Sequence, residues 1–141
     1  KLFVSEIRKL NSKIKIIEYS YENFGFGDEH IPHKADWFEL ASQASRPKVV
    51  LLSDGGMHHV FNSQQTPVVY LSAQSINKPH YYKTKNSKVY WDLFSECLDK
   101  CGTKLRNINS WWDIPSFCDL SCQKVNPTKL AQYIVKDYFS E

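Results

Sequence analysis

The stretch Lys48-Val49-Val50-Leu51-Leu52-Ser53 constrains the fold more than any other part of this chain. It is an unbroken apolar run of strand length. A strand with one wet face would alternate polar and apolar residues, so the run predicts a parallel strand covered on both faces. Pro47 stands at its entrance and forces any preceding helix to stop, because the residue ahead of a proline avoids helical angles. From Ala35 onward Trp37, Leu40, Ala41 and Ala44 fall on one helical stripe, so a helix is predicted there.

The same grammar repeats on both sides. Asp54-Gly55-Gly56 breaks the run, Met57 to Phe61 has room for a helical turn or two, and Pro67-Val68-Val69-Tyr70-Leu71 reads as a second buried strand. Upstream, Val4, Ile7 and Leu10 recur at helical spacing before Ile14-Lys15-Ile16-Ile17-Glu18-Tyr19, a β-branched run of strand length. Tyr21 to His33 carries Gly25, Gly27 and Pro32 among polar residues and reads as a surface loop.

Downstream, Tyr90, Leu93, Phe94, Cys97, Leu98 and Cys101 trace an amphipathic helix that Gly102 ends. A short extended piece from Lys104 to Ile108 leads to Trp111-Trp112, and Pro115 opens a brief helix holding Phe117, Cys118 and Cys122. Asn126 as cap and Pro127 at the first helical position start a last helix whose Leu130, Tyr133, Ile134 and Tyr138 share a face. Strands alternating with helices predict one α/β domain over residues 1–141, a parallel sheet with helices on both faces in a flavodoxin-like three-layer arrangement.

With 42% hydrophobic and 14% aromatic residues, the chain is too apolar for a disordered segment. Its net charge is +3, and the basic residues are scattered apart from a loose group between Lys78 and Lys88. Nucleic-acid and lipid partners need a basic face, so neither is expected. No apolar run approaches the ~20 residues that cross a bilayer, and the start lacks the order of a signal peptide. The chain reads as a soluble segment, attached to a membrane only through a span outside it.

Cys97, Cys101, Cys118 and Cys122 form two C-x3-C pairs, which leave three readings open: reduced thiols in or near the core, a disulfide, or a metal site. Structural zinc prefers tighter knuckles, and a chain with this much apolar content does not need staples, so reduced thiols are expected. His30, His33, His58, His59 and His80 read as solvated loop residues, with His30 and His33 beside cysteines as a zinc alternative. Gly25-Phe26-Gly27-Asp28 and Ser53-Asp54-Gly55-Gly56 lack the spacing of phosphate-binding loops and read as turns. Asp54 at a strand end keeps a small-molecule site open. No nucleophile elbow frames a Ser-His-Asp or Cys-His set. No catalytic residue, cofactor or metal is expected.

The segment Trp37-Phe38-x-x-x-x-Gln43-x-x-x-x-Lys48-Val49-Val50-Leu51-Leu52-Ser53 resembles the SEFIR domain of interleukin-17 receptors and their adaptors, a relative of the TIR domain. The helix leading into Ile14 to Tyr19 looks like that family's first helix and second strand, and Pro67 to Leu71 looks like its fourth strand. Trp112-Asp113-Ile114-Pro115-Ser116-Phe117-Cys118 is similar to the stretch near its end.

The resemblance implies a TIR-like domain in innate immune signal transduction, on the cytoplasmic side of the plasma membrane as part of a single-pass receptor, or free in the cytoplasm. It implies homotypic docking with a SEFIR-domain adaptor or receptor, as a homo- or hetero-oligomer. It carries partner binding to Asn23, Phe24, Phe26, Asp28 and Glu29, and to Met57, His58 and Phe61. Phe24 and Phe26 between glycines, with an acidic rim, suit an interface, the alternative being that one or both fold onto the core. The family opens with a strand for which Lys1 to Val4 leaves no room, so residues upstream are expected to be missing. Some TIR domains hydrolyse NAD with a Glu after the third strand. Ser53 to Pro67 holds no Glu, which makes a TIR-like NAD hydrolase, or a zinc-stabilised module, the alternative to a binding role.

Overall fold

The computed structural model describes residues 1–34, 36–52, 56–71, 87–89 and 125–140. The chain forms two compact units, residues 1–43 with 126–141 and residues 44–125. Both combine helices with short parallel strands, a mixed α/β content.

In the first unit, α1 (Leu2–Leu10) packs against the helix near the end of the chain, here α4 (Pro127–Phe139). Ile7 from α1 and Leu130, Ala131 and Ile134 from α4 are buried. Burying each large aliphatic side chain contributes about 1.5–3 kcal/mol. Of the stripe predicted on α1, Val4 is half-buried and Leu10 is exposed, because the helix ends there and Asn11 turns away in an extended conformation. The start of α4 follows its capping residues: the Asn126 side chain accepts the Lys129 amide at 3.0 Å, and Pro127 occupies the first turn, where no amide is missed.

Two parallel strands also belong to this unit, β1 (Ile17–Ser20) and β2 (Glu29–Pro32), in register Ile17 with Glu29 through Ser20 with Pro32. The segment read as one loop from Tyr21 to His33 therefore holds a strand. Its polar residues conceal it: Glu29, His30 and Ile31 are only half-buried, and the pairing comes from β1 rather than from an apolar pattern of their own. Parallel strands usually need a helical crossover of a dozen or more residues. Here both strands are short, and the chain returns through residues 21–28 alone.

The helix α2 (Trp37–Ala44) is capped by Asp36, whose Oδ1 accepts the amides of Phe38 at 2.8 Å and Glu39 at 3.2 Å. Leu40 and Ala44 are buried as their stripe predicts, whereas Trp37 is 54% exposed and Phe38 90% exposed. Trp37 is the first helical residue, on the turn where the cap rather than the core engages the chain.

The second unit holds the parallel sheet β3 (Val50–Leu52), β4 (Val68–Tyr70) and β5 (Ser87–Val89) in that order. All of β4 is buried, and it is the central strand of the three. In β3 only Leu52 is buried, and Val50 and Leu51 are half-buried, short of the double coverage that its apolar run predicts. The segment between β3 and β4 forms α3 (Met57–Ser63), about two turns as expected, running two residues beyond Phe61. Its end is a left-handed stop: Gln65 has φ 58°, its amide bonds to the Asn62 carbonyl at 3.0 Å, and the Thr66 amide bonds to the Phe61 carbonyl at 3.1 Å. The Thr66 hydroxyl donates to the Ala44 carbonyl at 2.5 Å, and the Asn62 amide links the Tyr70 and Ser87 hydroxyls at 3.0 and 2.8 Å.

The helices expected from Tyr90 to Cys101 and after Pro115, the extended piece from Lys104, Asp54, His80 and the four cysteines lie outside the described residues, as does the basic group of Lys78 to Lys88 apart from Lys88 itself in β5.

Candidate functional site

The connection from β1 to β2 is organised around a buried acid. Glu18 sits in the middle of β1 and is 9% exposed, and its carboxylate meets the loop that passes over the strand. Oε1 accepts the Phe24 amide at 2.8 Å and Oε2 the Phe26 amide at 2.9 Å. The Ser20 hydroxyl lies 2.8 Å from Oε1 and 2.6 Å from the Glu22 carbonyl, so its single proton serves one of them at a time. The Phe24 amide holds this carboxyl below the usual range against the upward push of burial, with help from Phe26, Ser20 and the nearby His30.

Two glycines let the loop take this path. Gly25 has φ 68°, in the left-handed region, so the amides on either side of it can converge on one carboxylate. Its own amide donates to Asn23 Oδ1 at 2.8 Å, a local turn. Gly27 lies flat on the strands, where a Cβ would stand 2.8 Å from the Ile16 carbonyl oxygen and 2.9 Å from the Glu18 amide nitrogen.

The far end of the loop is pinned by Asp28. Its Oδ2 accepts the Ile16 amide at 2.8 Å and pairs with Arg8 of α1, and its own amide donates to the Ile16 carbonyl at 2.7 Å. The Ile16 amide, and after it Arg8, holds the Asp28 carboxyl below its ordinary range. Glu29 pairs with Lys15 at 2.5 Å. At the near end, the Ser20 carbonyl accepts the His33 amide at 2.9 Å and faces His30 Nε2 at 3.0 Å. The His33 ring packs against both Tyr19 and Tyr21, with Nδ1 3.1 Å from the Tyr19 hydroxyl.

What this frame presents outward is aromatic. Phe24 is 54% exposed and Phe26 40%, and their rings stack with centroids 5.7 Å apart and planes 18° from parallel. Of the two placements left open for them, the rings take the outward one. Asn23 is exposed beside them. Asp28 and Glu29 belong to the same loop and strand start, but both carboxylates answer cations of their own unit. The other predicted residues lie in the second unit: Met57 is half-buried at the start of α3, His58 follows it on that helix, and Phe61 is 6% exposed and part of the core.

Sequence reasoning missed Glu18, Ser20 and Arg8. The available signal was the acid itself, a Glu inside a β-branched strand run, which has to find donors once it is buried. Among the described residues no group of three or more His, Cys, Asp or Glu is placed to hold a metal ion. No helix among them is long and apolar enough to cross a membrane. The chain matches no protein-family model, no curated protein and no solved structure.

Proposed function

We propose that this chain is a SEFIR-type signalling domain, the cytoplasmic part of an interleukin-17-receptor-like protein, and that it works by docking with a SEFIR-domain adaptor through residues 21–28. The observation that carries this reading is the stacked Phe24–Phe26 pair, turned outward on a loop whose backbone is hydrogen-bonded to Glu18. Exposed aromatics on a rigid support are the usual anchors of protein interfaces, since they bury much area at little entropic cost. Parallel pairing of β1 with β2, and of β3, β4 and β5, supports a TIR-like three-layer architecture. Its role is binding rather than catalysis.

The test is capture of a SEFIR-domain adaptor by the immobilised chain. Replacing Phe24 and Phe26 together by alanine is expected to weaken capture by about tenfold or more, with the melting temperature nearly unchanged. Undiminished capture by the folded double variant overturns the assignment of this loop.

A further inference from the structure

Resting on the docking reading above, we propose that Glu18 is the positioning residue of the loop: its carboxylate sets the Phe24–Phe26 pair in place before a partner arrives. The loop has several restraints, one of them the Gly25 amide on Asn23 Oδ1, which closes a turn within the loop but does not tie it to the strand. Asp28 ties down its last residue, through Ile16 and Arg8, and Gly27 lies against the strands next to it. Neither reaches the backbone that carries the two rings. The amides of Phe24 and Phe26 themselves both end on Glu18, one on each carboxylate oxygen.

The geometry suits a carboxylate in particular. Two amides arrive on separate oxygens of one group, and a carboxylate accepts at both. A glutamine of the same length offers one acceptor and one NH2, so one of the two amides would face a donor. An aspartate is one methylene shorter, and its oxygens withdraw from the loop. A loop held in its bound form before association gives up less conformational freedom on docking, which is how a buried strand residue acts on an exposed pair without touching the partner.

Amide hydrogen exchange on the whole chain reads this directly. In the unmutated chain the Phe24 and Phe26 amides are expected to exchange at least about tenfold more slowly than in a free loop, and Glu18→Gln to remove about tenfold of that protection at one or both, leaving Leu130 in α4 unchanged. Retained protection at both amides in folded Glu18→Gln overturns the proposal. If that variant does not fold, the unmutated chain decides through acid titration. Both amide proton resonances must shift together, with one midpoint below that of an ordinary glutamate, and two resonances indifferent to the titration overturn it.

Capture of a SEFIR-domain adaptor separates this role from the docking reading. Glu18→Gln is expected to weaken capture severalfold with both rings still in place, and full capture alongside lost protection overturns the positioning role. No capture by the unmutated chain overturns the docking reading and the positioning role with it, while the exchange data still report whether Glu18 holds the loop.

Discussion

Gly27 lies so close to Ile16 that a Cβ added to the glycine would stand 2.8 Å from the Ile16 carbonyl oxygen. Backbone surrounds it on the other sides too, at the Glu18 amide and the Glu29 carbonyl, so no flexible side chain can yield. Gly27→Ala is expected to cost about 1–3 kcal/mol or more through displaced strands. Gly25→Ala, in open space but at φ 68°, is expected to cost about 1 kcal/mol. Urea unfolding of the two variants checks the order, and equal costs would contradict the packing at Gly27.

Gln65 pays for the end of α3 with a left-handed backbone that a side chain disfavours. Both hydrogen bonds of the stop come from main-chain amides, those of Gln65 and Thr66, and survive loss of the side chain. Gln65→Gly is therefore expected to stabilise the chain by about 1 kcal/mol, seen as a higher melting temperature. A lower one would mean that the Gln65 side chain contributes more than the strain it carries.

The cap of α4 is local and separable from the core. Asn126→Ala removes the acceptor of the Lys129 amide while leaving Pro127 in place, and is expected to cost about 1 kcal/mol. Asn126→Asp keeps the acceptor and should stay within a few tenths of a kcal/mol of the unmutated chain in the same denaturation series.

Acid weakens the chain by protonating carboxylates of the first unit that are hydrogen-bonded in the folded state. Glu18, Asp28 and Glu6 all titrate below their ordinary values of 4.5, 3.8 and 4.5. For a lowered carboxyl the stabilising contribution is complete above the unfolded value and is lost as pH falls through the folded one. Melting temperature is thus expected to be level between about pH 8 and pH 5 and to fall below about pH 4. At the alkaline end Tyr133, pushed up by burial and then by Tyr138, keeps its proton in the folded chain, so stability should decline above about pH 10, where the unfolded tyrosine ionises. A marked loss between pH 7 and pH 5 would contradict the assignment to these carboxylates.

Docking through residues 21–28 should depend little on salt. Asp28 is paired with Arg8 and Glu29 with Lys15, which leaves Glu22 as the exposed acid beside the aromatic pair, too little charge to govern docking. Raising the salt concentration from about 50 mM to about 500 mM is expected to change adaptor capture by less than about threefold, because screening acts on exposed unpaired charge. A tenfold loss would assign recognition to charges rather than to Phe24 and Phe26.

Much of the chain's local structure is legible from residue order. Pro47 behind a helical stripe marks the end of α2, unbroken apolar residues mark β3 and β4, and Asn126-Pro127 marks the start of α4 to the residue. The aromatic loop is legible as well, from Phe24 and Phe26 among glycines. These signals work because caps, stops and apolar periodicity act over a few neighbouring residues, so a short window of sequence contains both the cause and its effect.

The tertiary structure decided what depends on partners distant in the chain. It made Glu29–Pro32 a strand by laying it along Ile17–Ser20, although its own residues carry no strand pattern. It left Trp37 exposed at a capped helix start, buried Phe61, and matched Asp28 and Glu29 to Arg8 and Lys15 where the sequence presents a plain acidic rim. Above all it brought the Glu18 carboxylate beneath the Phe24 and Phe26 amides. Sequence alone specifies that a buried acid needs donors; which amides supply them is set only when the chain folds back and desolvation makes every other arrangement costly.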